Sequence, residues 1–223
     1  MYDFTIQKQM FDVTLDLLKE NNLLEVSTLG GGTALAAYYF NHRYSTDIDI
    51  FIYAKENKTH LLKPSNWNDN INTKMKDIGF TGNFRHNDIY TEIVIDTNSK
   101  IQFFDVIKKS KEPFNKVDLW GYNLYIDSIE EIIAKKIYYR GDIAIALHND
   151  ALIFRKMILK KEKIINLYKT VLSINNSDEL KALYLEEIDL MNPNKQYSLL
   201  AKNAISYLST FLENICASYE INY

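Results

Sequence analysis

The chain has 223 residues, a net charge of -3 and 47% apolar residues. This is the composition of a folded protein, long enough for one large domain or two small ones, and not of a disordered chain. So small a net charge excludes a global cationic field toward nucleic acid or membrane, and any nucleic-acid contact must come from a local patch.

Along the chain, Ile6, Met10, Val13 and Leu17 recur at helical spacing, so residues 4–21 are expected to form an amphipathic helix. Leu23–Leu29 reads as a short strand leading into Gly30-Gly31-Gly32. Ala34–Phe40 reads as a short helix, Asp47–Tyr53 as a strand, 54–68 as a polar loop and Asp69–Ile78 as a helix ended by Gly79. Three strands are expected next, at Phe80–Arg85, Ile89–Asp96 and Lys100–Ile107, separated by the turn formers His86-Asn87-Asp88 and Thr97-Asn98-Ser99. The last of these is apolar on both faces, as in a central strand, which makes Asp105 its odd residue. Lys108, Lys109, Lys111 and Lys116 around Pro113 suggest a basic loop over 108–118, with a strand near Leu119–Ile126. Ser128 and Glu131 then form a capping box that opens a helix. Ile129, Ile132, Ile133, Ile137 and Arg140 share one face of it, and Lys136 on that face wants a negative partner. From about residue 141 the pattern is helical only, over 150–173, 177–191 and 195–218. The division this implies is a domain over 1–127 and a helical bundle over 128–223.

The chemistry concentrates where the glycines meet Asp47-Ile48-Asp49. On a strand these two carboxylates share a face, while Ile48, Ile50 and Ile52 take the other. Paired carboxylates repel unless a cation sits between them, and Mg²⁺ prefers oxygen ligands. The glycines let the backbone approach a phosphate closely. Together these parts suggest a site for a metal-bound nucleoside triphosphate. By itself, Asp-x-Asp more often marks two solvated acids at a strand end.

The run GGGTALAAYYFNHRYSTDIDIF resembles the nucleotidyltransferase motif of the AbiEii/AbiGii toxin family. The matching residues are Gly31, Gly32, Thr33, Ala34, Leu35, Arg43, Ser45, Asp47 and Asp49. The resemblance implies an α/β fold, a nucleotidyltransferase-like mixed sheet with flanking helices plus a C-terminal helical bundle, in the two-part layout of a Helicobacter-type member. It implies transfer of a nucleoside monophosphate from an NTP to an acceptor hydroxyl, such as that of a tRNA end, by the toxin half of a toxin–antitoxin pair with a cognate antitoxin as partner. Asp47, Asp49 and Asp105 would hold Mg²⁺ or Mn²⁺, with two ions about 3.5–4 Å apart, and Asp105 would also help deprotonate the acceptor. Gly31, Gly32, Thr33, Arg43, Ser45 and Lys136 would contact the nucleotide. The alternative to Lys136 as a phosphate ligand is simple neutralisation of an acid, and the alternative for Asp105 is a buried ion pair. After Arg140 the chain departs from the family pattern, reading Arg140-Gly141-Asp142 and then Leu147-His148-Asn149-Asp150, without an arginine–aspartate pair.

Other signals are weaker. His42, His60, His86 and His148 have no metal-ligand spacing. Cys216, the single cysteine, reads as a packed small hydrophobe, and its solitude fits a reducing cytoplasm. Met1 leads straight into polar residues, so no signal peptide is expected, and no apolar run is long enough to cross a membrane. Arg155, Lys156, Lys160, Lys161 and Lys163 form a basic helical stretch, either a solvated face or an RNA backbone contact. The rival from another class is a non-catalytic nucleotide- or protein-binding module that keeps this fold.

Overall fold

The structure, a computed structural model, describes residues 2–139, 161–190 and 193–218. The chain forms two compact units, one of residues 1–108 with 114–127 and one of residues 109–113 with 128–223.

The first unit is a seven-stranded mixed sheet. Its strands are β1 (Ser27–Gly30), β2 (Ile48–Ile52), β3 (Phe84–Asn87), β4 (Tyr90–Val94), β5 (Lys100–Asp105), β6 (Phe114–Leu119) and β7 (Tyr122–Asp127), in the spatial order β3-β4-β5-β2-β1-β7-β6. The pairs β1–β7 and β2–β5 are parallel and the others antiparallel. One face is apolar. Leu29, Ile48, Ile50, Ile52, Ile93, Ile101, Phe103 and Ile126 lie on it almost fully buried, and each such side chain contributes about 1.5–3 kcal/mol. Helix α1 (Thr5–Glu20) packs against β2 and against helix α3 (Asp69–Asp77). Met10, Val13 and Leu17 of α1 are buried as their spacing requires, whereas Ile6, at the helix start, is exposed.

The glycine run opens helix α2 (Gly31–Ala34), which continues as a π-helical turn over Leu35–Phe40. Four local expectations are corrected. Leu24–Val26 is a 3₁₀ turn, so β1 begins only at Ser27. The polar stretch 54–68 contains two 3₁₀ turns, Thr59–Leu62 and Pro64–Asn66. The strand expected at Phe80–Arg85 forms at Phe84–Asn87, an edge strand exposed throughout. The expected basic loop contains β6, and a two-residue turn at Trp120 and Gly121, both at positive φ, joins it to β7. Val117 and Leu119 alternate as buried residues with exposed Lys116 and Asp118; the lysines around Pro113 hide that period of two.

The second unit contains α4 (Ile129–Tyr139), α5 (Lys161–Asn175), α6 (Asp178–Leu190) and α7 (Lys195–Ser218). Its core brings Ile133, Leu167, Val171, Ala204, Leu208, Leu212 and Cys216 together. The four-residue spacing on α7 puts Cys216 on the buried stripe, so it packs as a small hydrophobe. The capping box is half formed. The Glu131 N–H donates to Ser128 Oγ at 3.2 Å, but the Glu131 carboxylate turns to Lys109 and Ser110. It accepts from both their backbone N–H groups and from the Ser110 hydroxyl at 2.7–3.0 Å. The buried lysine of α4 is Lys135, 3.8 Å from Glu131, rather than the expected Lys136, which is half-buried. Among the described residues no helix is long and apolar enough to cross a membrane. The basic stretch 155–163 and the Arg140–Asp150 segment lie outside the residues whose side chains are described.

Candidate active site

Asp49 sits in β2, and Asp47 immediately precedes that strand. Gly30 of β1 lies directly opposite Asp49. The next residue, Gly31, has φ +64°, and a Cβ there would collide with the Asp49 carboxylate. Only glycine therefore fits, on two independent grounds. At Gly32 a Cβ would meet the Arg43 guanidinium.

Thr33 and Ser45 brace this arrangement from within. Thr33 is fully buried. Its hydroxyl shares a 2.9 Å hydrogen bond with the Ser45 hydroxyl and donates to the Asp47 carbonyl. The Thr33 side chain thus fixes the loop before Asp47. Arg43 donates to the Tyr44 carbonyl at 2.7 Å. Burial pushes the Asp47 carboxyl above its ordinary range, against the opposing pull of Lys100 and of hydrogen bonds from Thr46 and the Lys100 backbone N–H.

Strand register decides which other groups belong with Asp49. Gln102 of β5 is directly opposite it, and Glu92 of β4 is opposite Gln102. Both are buried. Gln102 Nε2 donates to Glu92 Oε2 at 2.9 Å and to the Tyr90 hydroxyl at 2.7 Å. Lys100 Nζ is 3.4 Å and an Arg85 nitrogen 3.6 Å from the Glu92 carboxylate. Burial raises the Glu92 carboxyl, but the Tyr90 hydroxyl and these cations outweigh it and hold Glu92 below its ordinary value. On the other side of Gly30, Asp127 ends β7 fully buried. It accepts from the Thr28 hydroxyl at 2.6 Å and the Tyr53 hydroxyl at 3.1 Å, and its backbone carbonyl accepts from Tyr39 at 2.9 Å. One face of the sheet thus carries a row of Glu92, Gln102, Asp49, Gly30 and Asp127.

Asp105, expected as a third metal ligand and base, is not in that row. It does lie on the neighbouring strand, but it pairs with Ile52. It is therefore three residues beyond Gln102, about 10 Å along the strand, and on the opposite face. Its carboxylate accepts the N–H groups of Lys58 and Thr59 at 2.9 Å and the Thr59 hydroxyl at 2.8 Å, capping the 3₁₀ turn that follows. Asp105→Ala should thus lower unfolding free energy by about 2–3 kcal/mol, the value of charged hydrogen bonds lost in a half-buried place. Nucleotide binding per folded molecule should be unchanged. Denaturant melts and calorimetry read the two effects separately, and lost binding without lost stability would return Asp105 to the site.

Lys136 lies on α4 in the second unit. Among the described residues no group of three or more His, Cys, Asp or Glu side chains is gathered as a metal cage. Of the described histidines, His42 is buried, His60 and His86 are exposed, and His86 Nδ1 is 2.8 Å from the Thr91 hydroxyl. The sequence reading missed Glu92, Gln102 and Asp127. For Glu92 a signal exists, because it is the one charged residue in the strand Tyr90–Val94.

No curated protein matches the chain. Among solved structures, a candidate nucleotidyltransferase from H. pylori is similar, with a TM-score of 0.51 and 15% identity over 99% of this chain and 97% of that one. Another, JHP933 from Helicobacter pylori, has a TM-score of 0.49 and 16% identity over 97% of this chain and 96% of that one. At 15% identity the likeness to the first is one of fold. The family model for the nucleotidyl transferase AbiEii toxin of type IV toxin–antitoxin systems matches residues 16–139, which is more than half the chain and includes the glycine turn, both aspartates and the whole sheet. The chain therefore belongs to the AbiEii nucleotidyl transferase toxin family.

Proposed function

We propose that this protein transfers a nucleoside monophosphate from an NTP to an acceptor hydroxyl, using a divalent cation, Mg²⁺ or Mn²⁺, held by Asp47 and Asp49. The observation that carries the reading is Gly31, whose positive φ and missing Cβ bring the main chain against the Asp49 carboxylate. The donor set fits such an ion, since carboxylates are hard oxygen ligands, and the turn lies so close to the acid that a Gly31 Cβ would collide with it. A bound divalent cation supplies positive charge against the triphosphate and the departing pyrophosphate. Gly31 and Gly32 leave the main chain open to phosphate oxygens. Thr33 and Ser45 hold the loop that presents Asp47, and Arg43 lies over Gly32 as a cation for phosphate. Family membership further supports an antitoxin as partner, and the acceptor in this reading is RNA, including tRNA.

The test is incubation with each labelled NTP, Mg²⁺ and total cellular RNA. Label should appear on RNA with one NTP. It should vanish in Asp47→Asn/Asp49→Asn, together with Mg²⁺-dependent NTP binding by calorimetry. Tight NTP binding with no label on any acceptor would replace this reading with that of a non-catalytic module.

A further inference from the structure

The sheet face that carries Asp49 continues into an aromatic cavity. Thr28 and Phe51 are opposite one another, and Tyr53 lies two residues beyond Phe51. Tyr125 and Lys116 face each other across β7 and β6, and Phe114 faces Asp127. By strand alternation all of these side chains share the face of Asp49. Thr28, Tyr53, Phe114, Tyr125 and Lys108 line a cavity of 140 Å³. It starts two residues, about 7 Å, from Asp49 along β2 and reaches about 13 Å. The ring centroids of Tyr53 and Phe114 are 5.6 Å apart, and those of Phe114 and Tyr125 are 5.4 Å apart, with planes inclined at 56° and 67°. The rings are walls, not a flat platform. A cavity of about 150 Å³ lined by apolar groups accepts one planar ring. Two exposed ammonium groups stand at these walls, Lys108 Nζ 5.3 Å from the Phe114 centroid and Lys116 Nζ 5.6 Å from that of Tyr125. A slot for one planar ring, with Lys108 lining it and Lys116 over the ring of Tyr125, one of its walls, suits a nucleobase with flanking phosphates.

We propose that this cavity receives one nucleotide of a single-stranded RNA acceptor, the base entering between the aromatic walls and its flanking phosphates meeting Lys108 and Lys116. This rests on the nucleotidyltransferase reading and names where its acceptor lies. Proteins that hold single strands combine cationic grooves with aromatic side chains in this manner, and a base inside a duplex offers no free ring face. Glu25 also lines the cavity. Its carboxylate only accepts hydrogen bonds, so it suits the ribose 2′-hydroxyl that distinguishes RNA from DNA.

The experiment uses the full chain and a fluorescein-labelled single-stranded RNA hexamer, with anisotropy measured over a salt series. Lys108→Gln/Lys116→Gln changes only exposed side chains and should fold. It should weaken RNA binding and flatten the log–log salt slope by about 1.4, two contacts at about 0.7 each. Tyr125→Leu should weaken binding about tenfold. Mg²⁺-dependent NTP binding should be unchanged in both variants. An unlabelled DNA hexamer of the same sequence should compete less well than RNA. The proposal is overturned if the wild type binds no RNA, if the salt slope of the double variant is unchanged, or if NTP binding falls with RNA binding, which would give the cavity to the donor base. If RNA binds through the lysines yet no NTP ever yields labelled product, the transferase reading fails and the RNA site stands. Label transfer to RNA with an unchanged RNA KM in both variants has the opposite meaning.

Discussion

Gly31→Ala should abolish Mg²⁺-dependent NTP binding and destabilise the protein, whereas Gly121→Ala should only destabilise it. The two glycines separate backbone strain from the collision at the site. Both are in the left-handed region, with φ +64° and +85°. An alanine held there costs about 1–2 kcal/mol. At Gly121, in the β6–β7 turn, nothing lies within 4 Å of an added Cβ, so that strain is the whole effect. At Gly31 the added methyl meets the Asp49 carboxylate. Relief requires either the turn or the acid to move, adding about 1–3 kcal/mol of overpacking. Either movement breaks the fit between main chain and carboxylate on which the proposed nucleotide site depends. Thermal melts and calorimetry on both variants, with Mg²⁺ and NTP, provide the comparison. Normal NTP binding by folded Gly31→Ala would show that close approach of turn and carboxylate is not required.

Glu131→Ala should lower unfolding free energy by about 3–5 kcal/mol. The carboxylate is fully buried and accepts from two backbone N–H groups and a hydroxyl of residues 109–110. Lys135, 4% exposed, loses the carboxylate 3.8 Å away. Taking the countercharge from a buried ion is far more destabilising than breaking a surface bridge. Glu131→Gln keeps an acceptor oxygen but brings an N–H₂ toward donors, and it should fall between wild type and alanine. Urea unfolding followed by circular dichroism measures all three. A loss below about 1 kcal/mol for Glu131→Ala would mean that water replaces the carboxylate, and that the segment 109–113 is held by Ser128 instead. Ser128 donates from its N–H to the Pro113 carbonyl at 2.9 Å and from its hydroxyl to the Glu112 carbonyl at 2.6 Å.

The centre of the site was legible because its logic is local. Asp47 and Asp49 alternate with Ile48, Ile50 and Ile52, and a period of two assigns acids and isoleucines to opposite faces whatever the strand pairs with. The glycine turn is adjacent in the chain, and its residues announce a conformation that only glycine adopts. The same holds for the stripe on α1 and for Cys216, whose four-residue spacing with Ala204, Leu208 and Leu212 fixes its burial. Where neighbouring signals conflict, local reading fails. Lysines and a proline disguised β6, and a small difference in helix phase moved the buried position of α4 from Lys136 to Lys135.

What surrounds the two aspartates was decided by tertiary structure alone. Asp105 and Gln102 stand three residues apart on one strand, and nothing local says which of them faces Asp49. That choice belongs to the ladder between β2 and β5, which pairs Asp49 with Gln102 and Ile52 with Asp105. An offset of three, being odd, reverses the face as well as the distance. Glu92 joins the row through a second ladder and Asp127 through a third, from segments more than forty residues before and after one another in some pairs. The sequence by itself therefore determined the family, the α/β class and the paired carboxylates, because composition, period and turn chemistry act over a few residues. Only the folded sheet decided which polar groups keep company with those carboxylates, because strand register is set by the joint burial and hydrogen bonding of segments that are distant in the chain.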